Sequence, residues 1–396
     1  MPMTDQYSTP NVLQQHILLF GANYRAMFYV ARKLYHSKHK IDVIDWENIP
    51  IEYSKYINKY YRIDGRDINK ARTLLIDILA HQKYKAVIPI NDVGILMCKM
   101  FSADISAFSP IIMSNINSLV YAYNKYELYK KSIQCGFGEY LVALVKDKDE
   151  LTHKINEVNL NAVVLKSCCS KKICDSQIKT YSVYKSCSKS EILNRFTDES
   201  EFPLMIQKCV KGQEIGFNFI ALDGEIKAYY IDEFHCGSFG TECVSRKSKS
   251  DIPQLYNKIE RLVKSIKWNG LGMFDIIVNG EDFYILELNG RFWASIDLSD
   301  NVGSGIWEAY ESMFVCNSSL TQKSNIKRDG IVLINLQSSI KKILKDITHT
   351  NHWKESFKIL STITKSIFSK RYFLQEHLWE DKSFYFHLLI HYIKRI

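Results

Sequence analysis

The stretch from Gly270 to Gly305 holds three oxygen-bearing side chains whose spacing suits a divalent cation. Asp275 lies in one apolar run, and Glu287 and Asn289 end a second apolar run that follows an Asn-Gly turn. Residues two apart on a strand point to the same face, and a hairpin would bring Asp275 back beside Glu287 and Asn289. Three hard oxygen ligands that converge on one place predict a Mg²⁺ site.

Arg291 adds a fixed positive charge to this stretch, because it lies on the same face as Asn289 if the strand continues. Its guanidinium can fork onto phosphate or carboxylate oxygens. The alternative is an ordinary surface hairpin whose acids are solvated. The metal site is favoured, because a carboxylate inside an apolar run must be paired or metal-bound to be tolerated.

The composition is that of a globular protein. With 396 residues the chain is long enough for two or three domains, and 46% apolar residues exclude disorder. No apolar run reaches the roughly 18 residues that a membrane span needs, and the polar start has no signal-peptide pattern. We therefore expect a cytoplasmic protein. The ten cysteines include no C-x-x-C pair, which disfavours a zinc site.

The net charge of +9 is concentrated near the C-terminus. Residues 321–396 hold 14 Lys and Arg against 6 Asp and Glu, a net charge of +8. Such a segment can contact an acidic partner, a membrane surface or nucleic acid, of which nucleic acid is the least expected. A solvated face of a helical subdomain is the simpler interpretation and is favoured.

The first part of the chain alternates between strand and helix patterns. A strand, a glycine turn, a helix, a strand, a helix and a strand are predicted at residues 17–20, 21–23, 24–36, 41–44, 68–82 and 86–89. This βαβ alternation predicts an open parallel sheet. The turn keeps only the first glycine, Gly21, of the dinucleotide-binding fingerprint, so no NAD site is inferred. Asp92, at the start of the next helix, is interpreted as a helix cap.

Two lysines stand out in the following segment. Lys125 opens a helix, and Lys166 is predicted at the end of the strongly apolar strand 162–165. Burial would depress the pKa of Lys166 and remove its charge, so an anion such as phosphate is expected nearby. The stretch 167–176 is polar and basic, as a phosphate-covering flap would be, but it contains no glycine.

Further on, a strand at 204–210 leads through a connector to Glu214, which opens a hairpin. The segment 235–246, which ends at Arg246, is predicted to be a loop whose glycines allow close approach to a ligand. A short strand at 331–336 and aromatic-rich helical patterns follow, and the last apolar run is expected to pack on the body of the protein.

From about residue 16 to 307 these features resemble the ATP-grasp superfamily. The resemblance is to its carboxylate-amine ligase branch, which includes D-alanine-D-alanine ligase and carbamoyl-phosphate-synthase-like proteins. The metal signature of that family is an acid, then Glu-x-Asn and an Arg, which correspond to Asp275, Glu287, Asn289 and Arg291. The following GRFWAS resembles the family's NPRFWGS, with Gly290 in place of the proline.

The resemblance implies an ATP site that several elements share. The lysines that hold the phosphates and adenine would be Lys125 and Lys166. The adenine-binding hinge and the ribose-binding acid would be Gln207, Cys209, Val210 and Glu214. The catalytic residues beside the transferred phosphate would be Arg246 and Arg291.

Two positions depart from the family pattern. Gln207 stands where the hinge usually has Glu, and the flap 167–176 lacks the usual glycines. Phosphate contacts in the flap would therefore come from its backbone and from Ser170, Lys171 or Lys172. These departures concern the geometry of the flap rather than ATP binding.

The implied fold is α/β and α+β. A Rossmann-like pre-ATP-grasp domain, 1–118, would precede a two-lobed ATP-grasp domain, 119–320, and a basic, mostly helical C-terminal region, 321–396. The small lobe would span about 140–210 and the large lobe about 211–320 of the chain.

The implied activity is an ADP-forming ligation that needs ATP and Mg²⁺, with Mn²⁺ as an alternative ion. A carboxylate would be activated as an acyl phosphate and coupled to an amine or thiol, as in an amino acid or small metabolite. Bicarbonate activation, as in carboxylases, and a degenerate nucleotide-binding module remain as alternatives. The expected partners are small-molecule carboxylate and amine substrates; a homodimer and an acidic partner for the C-terminal region are compatible with the sequence, and no membrane span is expected.

Overall fold

The computed structural model describes residues 15–21, 24–46, 49–65, 67–158, 163–174, 177–181, 183–185, 189–196, 198–237, 243–316, 328–348 and 353–393. Its strands are β1 (His16–Phe20), β2 (Lys40–Asp45), β3 (Lys59–Arg62), β4 (Ala86–Pro89), β5 (Leu141–Val145), β6 (Val163–Ser167), β7 (Lys171–Cys174), β8 (Gln177–Thr180), β9 (Val183–Lys185), β10 (Leu204–Lys208), β11 (Gln213–Leu222), β12 (Glu225–Cys236), β13 (Ser245–Lys249), β14 (Gly270–Asn279), β15 (Asp282–Asn289), β16 (Val332–Ile334) and β17 (Tyr372–Leu374).

Its α-helices are α1 (Tyr24–His36), α2 (Ile68–His81), α3 (Asp92–Met100), α4 (Ser102–Ser106), α5 (Leu119–Tyr123), α6 (Lys125–Gln134), α7 (Lys148–Glu157), α8 (Lys189–Arg195), α9 (Pro253–Ser265), α10 (Asp297–Val302), α11 (Ile306–Tyr310), α12 (Leu336–Thr348), α13 (Trp353–Phe368) and α14 (Lys382–Ile393). Short 3₁₀ turns at Ile51–Tyr53 and Glu199–Glu201 and a π turn at Glu311–Val315 accompany them.

The first sheet is parallel, in the order β3-β2-β1-β4, as the βαβ pattern predicted. Gly21 follows β1 and has a φ of 87°. A side chain at this position would clash with the side chain of Asn91. Asn91 caps α3, because its side chain accepts a hydrogen bond from the Gly94 N–H at 2.8 Å. The interpretation of Asp92 as the cap was therefore wrong, and its carboxylate is available for other contacts.

The second sheet is antiparallel, in the order β5-β10-β6-β9. Leu165 of β6 packs in a core with α7 and α8, and strand alternation turns the neighbouring Lys166 to the opposite face. Lys166 lies within β6 rather than after it, because it and Ser167 still pair with β10. The flap stretch forms the separate hairpin β7–β8, with residues 175–176 outside the described residues.

The large sheet has the order β15-β14-β11-β12-β13-β16-β17, antiparallel except for the last pair. Its β14–β15 hairpin confirms the predicted strand pair, and Asp275 lies opposite Glu287 in the register. On the other side of Asp275, Gly216 of β11 is paired both with Asp275 and with Asp232 of β12. Two acids thus flank one glycine across three strands.

One expectation about these strands was wrong, and the condition set for another is not met. Arg246 lies in β13 and not in a loop, and the segment SRKSK hid this strand because it contains no apolar residue. It is nevertheless a strand because its backbone pairs with β12 on one side and with β16 on the other. Arg291 lies beyond the end of β15 at Asn289, so strand alternation does not set its direction. Residues 238–242 of the predicted loop lie outside the described residues.

The C-terminal segment completes the large sheet and packs on the first sheet. β16 and β17 extend the sheet past β13, and the Phe384 ring of α14 lies 3.9 Å, centroid to centroid, from that of Phe28 in α1. Arg25 of α1 donates to Asn335 Oδ1 at 2.9 Å. None of the helices in the described part of the chain is long and apolar enough to cross a membrane.

Candidate active site

The acid pair on the β14–β15 hairpin is the centre of the site. Asp275 is buried, and burial, followed by the charge of Glu287, raises its pKa well above the ordinary value. Asn289 Nδ2 donates to Asp275 Oδ2 at 3.3 Å. Among the described residues Asp275 Oδ1 has no hydrogen-bond partner. Burial beside Glu287 therefore favours the protonated form of the Asp275 carboxyl.

Two lysines face this pair from other elements. Lys125, placed by the Asn124 cap of α6, has its Nζ 3.4 Å from Glu287 Oε2 and donates to Ser170 Oγ. Lys166 Nζ donates to the Leu286 carbonyl at 3.3 Å.

Each lysine affects the titration of its neighbours. Burial, and next the charge of Lys125, lowers the pKa of Lys166 to about 7. Although burial acts the other way, Lys125 and the hydrogen bond from Asp275 hold the pKa of Glu287 below its ordinary value. The ionised form of Glu287 is thus favoured, whereas the charged form of Lys166 is disfavoured until an anion comes close.

Arg291 connects the hairpin to the parallel sheet. Its Nη2 donates to Asn289 Oδ1 at 3.1 Å and its Nε to Asp92 Oδ1 at 2.9 Å. Asp92 also pairs with Lys171 Nζ of the flap hairpin at 3.2 Å. Although burial opposes them, Arg291 and then Lys171 hold the pKa of Asp92 below its ordinary value. The position of Asp92 just after a buried strand was the sequence signal for this role.

Arg246 and Asp232 form a buried ion pair near the acid pair Asp275 and Glu287. Arg246 stacks on Phe234, with its guanidinium carbon 4.0 Å from the ring centroid. Among the described residues Arg246 Nε and Asp232 Oδ2 lack hydrogen-bond partners. A Cβ at Gly216 would lie 2.8 Å from Arg246 Nη2, so only glycine leaves room for this pair. Asp232 was missed, although an acid in an apolar strand was the signal that marked Asp275.

Two cavities adjoin at the acid pair. The larger, of about 340 Å³, has Arg246, Asp275, Glu287 and Arg291 in its wall, together with Arg25, Asn335 and Gln375. The smaller, of about 180 Å³, is lined by Asp92, Lys125, Ser170, Lys171, Glu287, Asn289 and Arg291, among others. Since both include Glu287, Asn289 and Arg291, a group bound in one cavity lies next to a group bound in the other.

The predicted hinge lies where β10 runs on towards β11. Gln207 is buried with its Nε2 3.7 Å from Met205 Sδ, and Val210 packs on the cluster that contains Tyr140. Cys209 is exposed, and Glu214 is half-buried in β11. These residues line neither of the two cavities, so their contact with a nucleotide stays a prediction.

The donor set fits a hard divalent cation. Within the described residues no group of three or more His, Cys, Asp or Glu side chains could hold a metal ion. The candidate site has two carboxylates, Asp275 and Glu287, and the amide of Asn289. The unpartnered, buried Asp275 Oδ1 and the raised pKa of Asp275 beside a second acid mark a place that a cation could take. Mg²⁺ is commonly held by one or two carboxylates plus phosphate oxygens.

Solved structures share this fold. No protein-family model and no curated protein sequence matches the chain. One of the solved structures is the biotin carboxylase domain dimer of Hydrogenobacter thermophilus 2-oxoglutarate carboxylase, in complex with MgADP, ADP and bicarbonate. The match covers 80% of this chain and 73% of that protein's chain, with 13% sequence identity and a TM-score of 0.60.

Two further similar structures are those of a synthetase and a ligase. The ADP complex of purK, an N5-carboxyaminoimidazole ribonucleotide synthetase, is similar over 84% of this chain and 85% of its own, with 17% identity and a TM-score of 0.60. The match to L-amino acid ligase from Bacillus licheniformis covers 76% of this chain and 71% of the ligase chain, with 11% sequence identity and a TM-score of 0.54. The chain therefore has the fold of the ATP-grasp carboxylases and carboxylate-amine ligases.

Proposed function

We propose that the protein uses Mg²⁺ and ATP to activate a carboxylate as an acyl phosphate, which an amine, or a thiol, then attacks. The observation that carries the proposal is the buried centre in which Lys125 and Lys166 face the acid pair Asp275 and Glu287. Two lysines suit phosphate oxygens, and two neighbouring acids suit a divalent cation.

The chain's residues divide the binding of Mg-ATP between them. Lys125 and Lys166 would neutralise the phosphates, and the hinge (Gln207, Cys209, Val210) with Glu214 would take adenine and ribose. Asp275, Glu287 and Asn289 would hold Mg²⁺, or Mn²⁺ in its place. A bound ion there supplies charge neutralisation for the phosphates. Positioning and charge neutralisation are the main tasks of a protein in phosphoryl transfer.

The carboxylate substrate is proposed to occupy the cavity of about 340 Å³. Arg246 lines it with an unpartnered Nε, and Arg291 lies where the two cavities meet. A carboxylate oxygen would attack the γ-phosphorus and release ADP. The amine would then attack the acyl carbon, and phosphate and a proton would leave.

We also propose the domain division 1–118, 119–320 and 321–396, with the lobes of the middle domain at about 140–210 and 211–320. The parallel sheet supports a Rossmann-like first domain, and the two antiparallel sheets support the two lobes. The C-terminal region contributes Asn335 and Gln375 to the cavity, so it would take part in recognition of the acid or the amine.

The test is an ADP-release screen with amino acids and small carboxylates in pairs, followed by mass spectrometry of the product. We expect ADP to appear only with an acid and an acceptor present, and Glu287→Gln to abolish it. The control is Glu281→Gln, the same substitution on the exposed turn of the hairpin. ADP release that depends on bicarbonate instead of an added acid would favour the carboxylase alternative. Nucleotide binding without turnover would favour the degenerate module.

A further inference from the structure

Helix α13 carries a stripe of exposed apolar side chains. The exposed fractions of Phe357, Leu360, Ile367 and Phe368 are 66%, 48%, 73% and 83%. At 3.6 residues per turn these positions fall within one sector of about 100° around the helix axis. Single exposed apolar residues are normal on a protein surface, but several in one sector form a patch that marks an interaction site.

A row of lysines runs beside this stripe. Lys354, Lys358 and Lys365 occupy the sector next to Phe357, and Lys370 and Arg371 follow the end of the helix. The Lys365 Nζ lies 5.6 Å from the centroid of the Tyr372 ring. The acidic residue of α13, Glu355, is paired with Lys342 at 3.1 Å. The outer face of the helix is therefore positive as well as apolar.

The inner face of α13 is already packed by the chain itself. Ile359 lies in a buried cluster with Cys236 and Val244, and Ser356 Oγ donates to Asp346 Oδ2 at 2.9 Å. Lys358 Nζ donates to the His235 carbonyl, which ties the helix to the end of β12. The stripe is thus an outer surface of a helix that is fixed in place, and not the unfilled core of the fold.

We propose that α13 binds the anionic surface of a lipid membrane, with the stripe among the head groups and the lysine row against their negative charges. An interfacial helix has this combination of an apolar sector with aromatic residues and adjoining lysines. Long lysine side chains can keep their ammonium groups at the head-group level while their stems cover apolar surface. Charge complementarity favours lipid as the occupant, since the region from residue 321 onwards has a net charge of +8. This surface is independent of the proposed ligase activity.

The test is co-sedimentation of the full-length protein with vesicles of equimolar phosphatidylcholine and phosphatidylglycerol, compared with pure phosphatidylcholine. We expect sedimentation with the anionic vesicles alone and release at high salt, because the lysine contribution is screened. Lys354→Gln with Lys365→Gln should lower the partition coefficient about 25-fold, at about fivefold for each lysine. Phe357→Ser, Ile367→Ser and Phe368→Ser together should abolish binding.

Matched controls are exposed residues of the same types far from α13 in sequence. Lys70→Gln with Lys83→Gln, and Phe108→Ser with Ile116→Ser, should leave vesicle binding unchanged. Thermal unfolding and circular dichroism check that each variant folds. If the triple serine variant does not fold, Phe368→Ser alone, at the most exposed position, should still weaken binding.

Three results would overturn the proposal. The first is no binding to anionic vesicles, and the second is equal binding to neutral vesicles, which would remove the role of the lysines. The third comes from light scattering of the protein without lipid. A dimer that the triple serine variant dissociates would make the stripe an interface between two copies of this chain.

Discussion

Asp275 and Asp232 lie on β14 and β12, on either side of Gly216 in β11, and both side chains are buried. They differ in what faces them. Asp275 faces a second acid, Glu287, and its raised pKa favours the protonated form. Asp232 faces Arg246, and although burial opposes it, Asp232 holds the pKa of Arg246 above its ordinary value. Protonation of the first acid is favoured, whereas the second acid is paired with a permanent cation.

The difference separates a pair that can bind a metal ion from a pair that holds a cation in the wall of the larger cavity. A divalent cation can relieve the repulsion between two carboxylates, so the Asp275–Glu287 pair can bind a metal ion in the folded protein. The Asp232–Arg246 pair cannot lose either member cheaply, because a lone charge would remain buried. Its effect on the site is indirect: it fixes a cation in the wall of the larger cavity.

The substitution that should best distinguish the roles of the two acids, and have the largest effect, is Asp275→Asn. Asparagine has the shape of the protonated acid but does not bind a cation as a carboxylate does. We expect ADP release, measured on the best acid and acceptor pair of the screen, to fall about 1,000-fold, as for loss of a group that stabilises transition-state charge. The free energy of unfolding should change by less than about 1 kcal/mol, because the neutral form is already the buried one.

Asp282→Asn, on the exposed end of the same hairpin, is the control and should leave both quantities unchanged. The stabilisation that Mg²⁺ adds to the protein in the presence of ATP gives a readout that needs no substrate. Persistence of that stabilisation in Asp275→Asn would remove Asp275 from the metal site.

The second substitution, Asp232→Asn, should affect stability first. It leaves the buried guanidinium of Arg246 without its anion, so the free energy of unfolding in urea should fall by about 3 kcal/mol. Asp223→Asn, in the exposed turn between β11 and β12, is the matched control. Adding Arg246→Gln to Asp232→Asn should restore part of the loss, since the double change removes the lone charge. No recovery would mean that packing rather than charge is responsible.

The contrast between these two acids also shows what the sequence could predict. The β14–β15 hairpin was predictable because its pattern is local and consists of two apolar runs joined by an Asn-Gly turn. Its acids lie within the apolar runs, where a carboxylate needs a paired group or a bound cation. Lys125 was equally local, since Asn124 marks the start of α6. The fold class was also predictable, because strands and helices alternate regularly in the part of the chain before these residues.

The partners of the buried charges were not predictable, because they join distant parts of the chain. Arg291 meets Asp92 across 199 positions, and Arg25 meets Asn335 across 310. No local period links such residues. Arg246 was misplaced for another reason: β13 is a strand made of serine, lysine and arginine, and its two neighbours stabilise it instead of an apolar pattern.

Gly216→Ala tests the spacing between the two acids. A Cβ there would approach the Asp232 carboxylate and come within 2.8 Å of Arg246 Nη2, so the pair must move. We expect a loss of about 2 kcal/mol in the free energy of unfolding, as for other overpacked sites. In an Arg246→Ala background one clashing partner is gone, and the same glycine substitution should then cost less. An equal cost in both backgrounds would contradict the role of Gly216 as the space for the pair.

An effect that depends on pH should come from Lys166, one of the two lysines that face the acid pair. The pKa of Lys166 is lowered to about 7 from a model-compound value of 10.5, chiefly by burial. Below pH 7 both the folded and the unfolded chain bind this proton, and the folded state carries the full cost of a buried charge. Between pH 7 and 10.5 the unfolded chain binds more protons than the folded one, so this contribution makes stability rise with pH.

Lys166→Met removes that titration. The stability of Lys166→Met minus that of the wild type should therefore be largest near pH 7 and shrink towards pH 10, by at most about 1.4 kcal/mol per pH unit. Lys166→Gln should show the same pH dependence with a different absolute stability, because it is neutral as well. Urea unfolding of the three proteins across this range measures the difference. A difference that does not vary with pH would mean that Lys166 is not titrating, and that an anion inside the protein keeps it charged before any phosphate arrives.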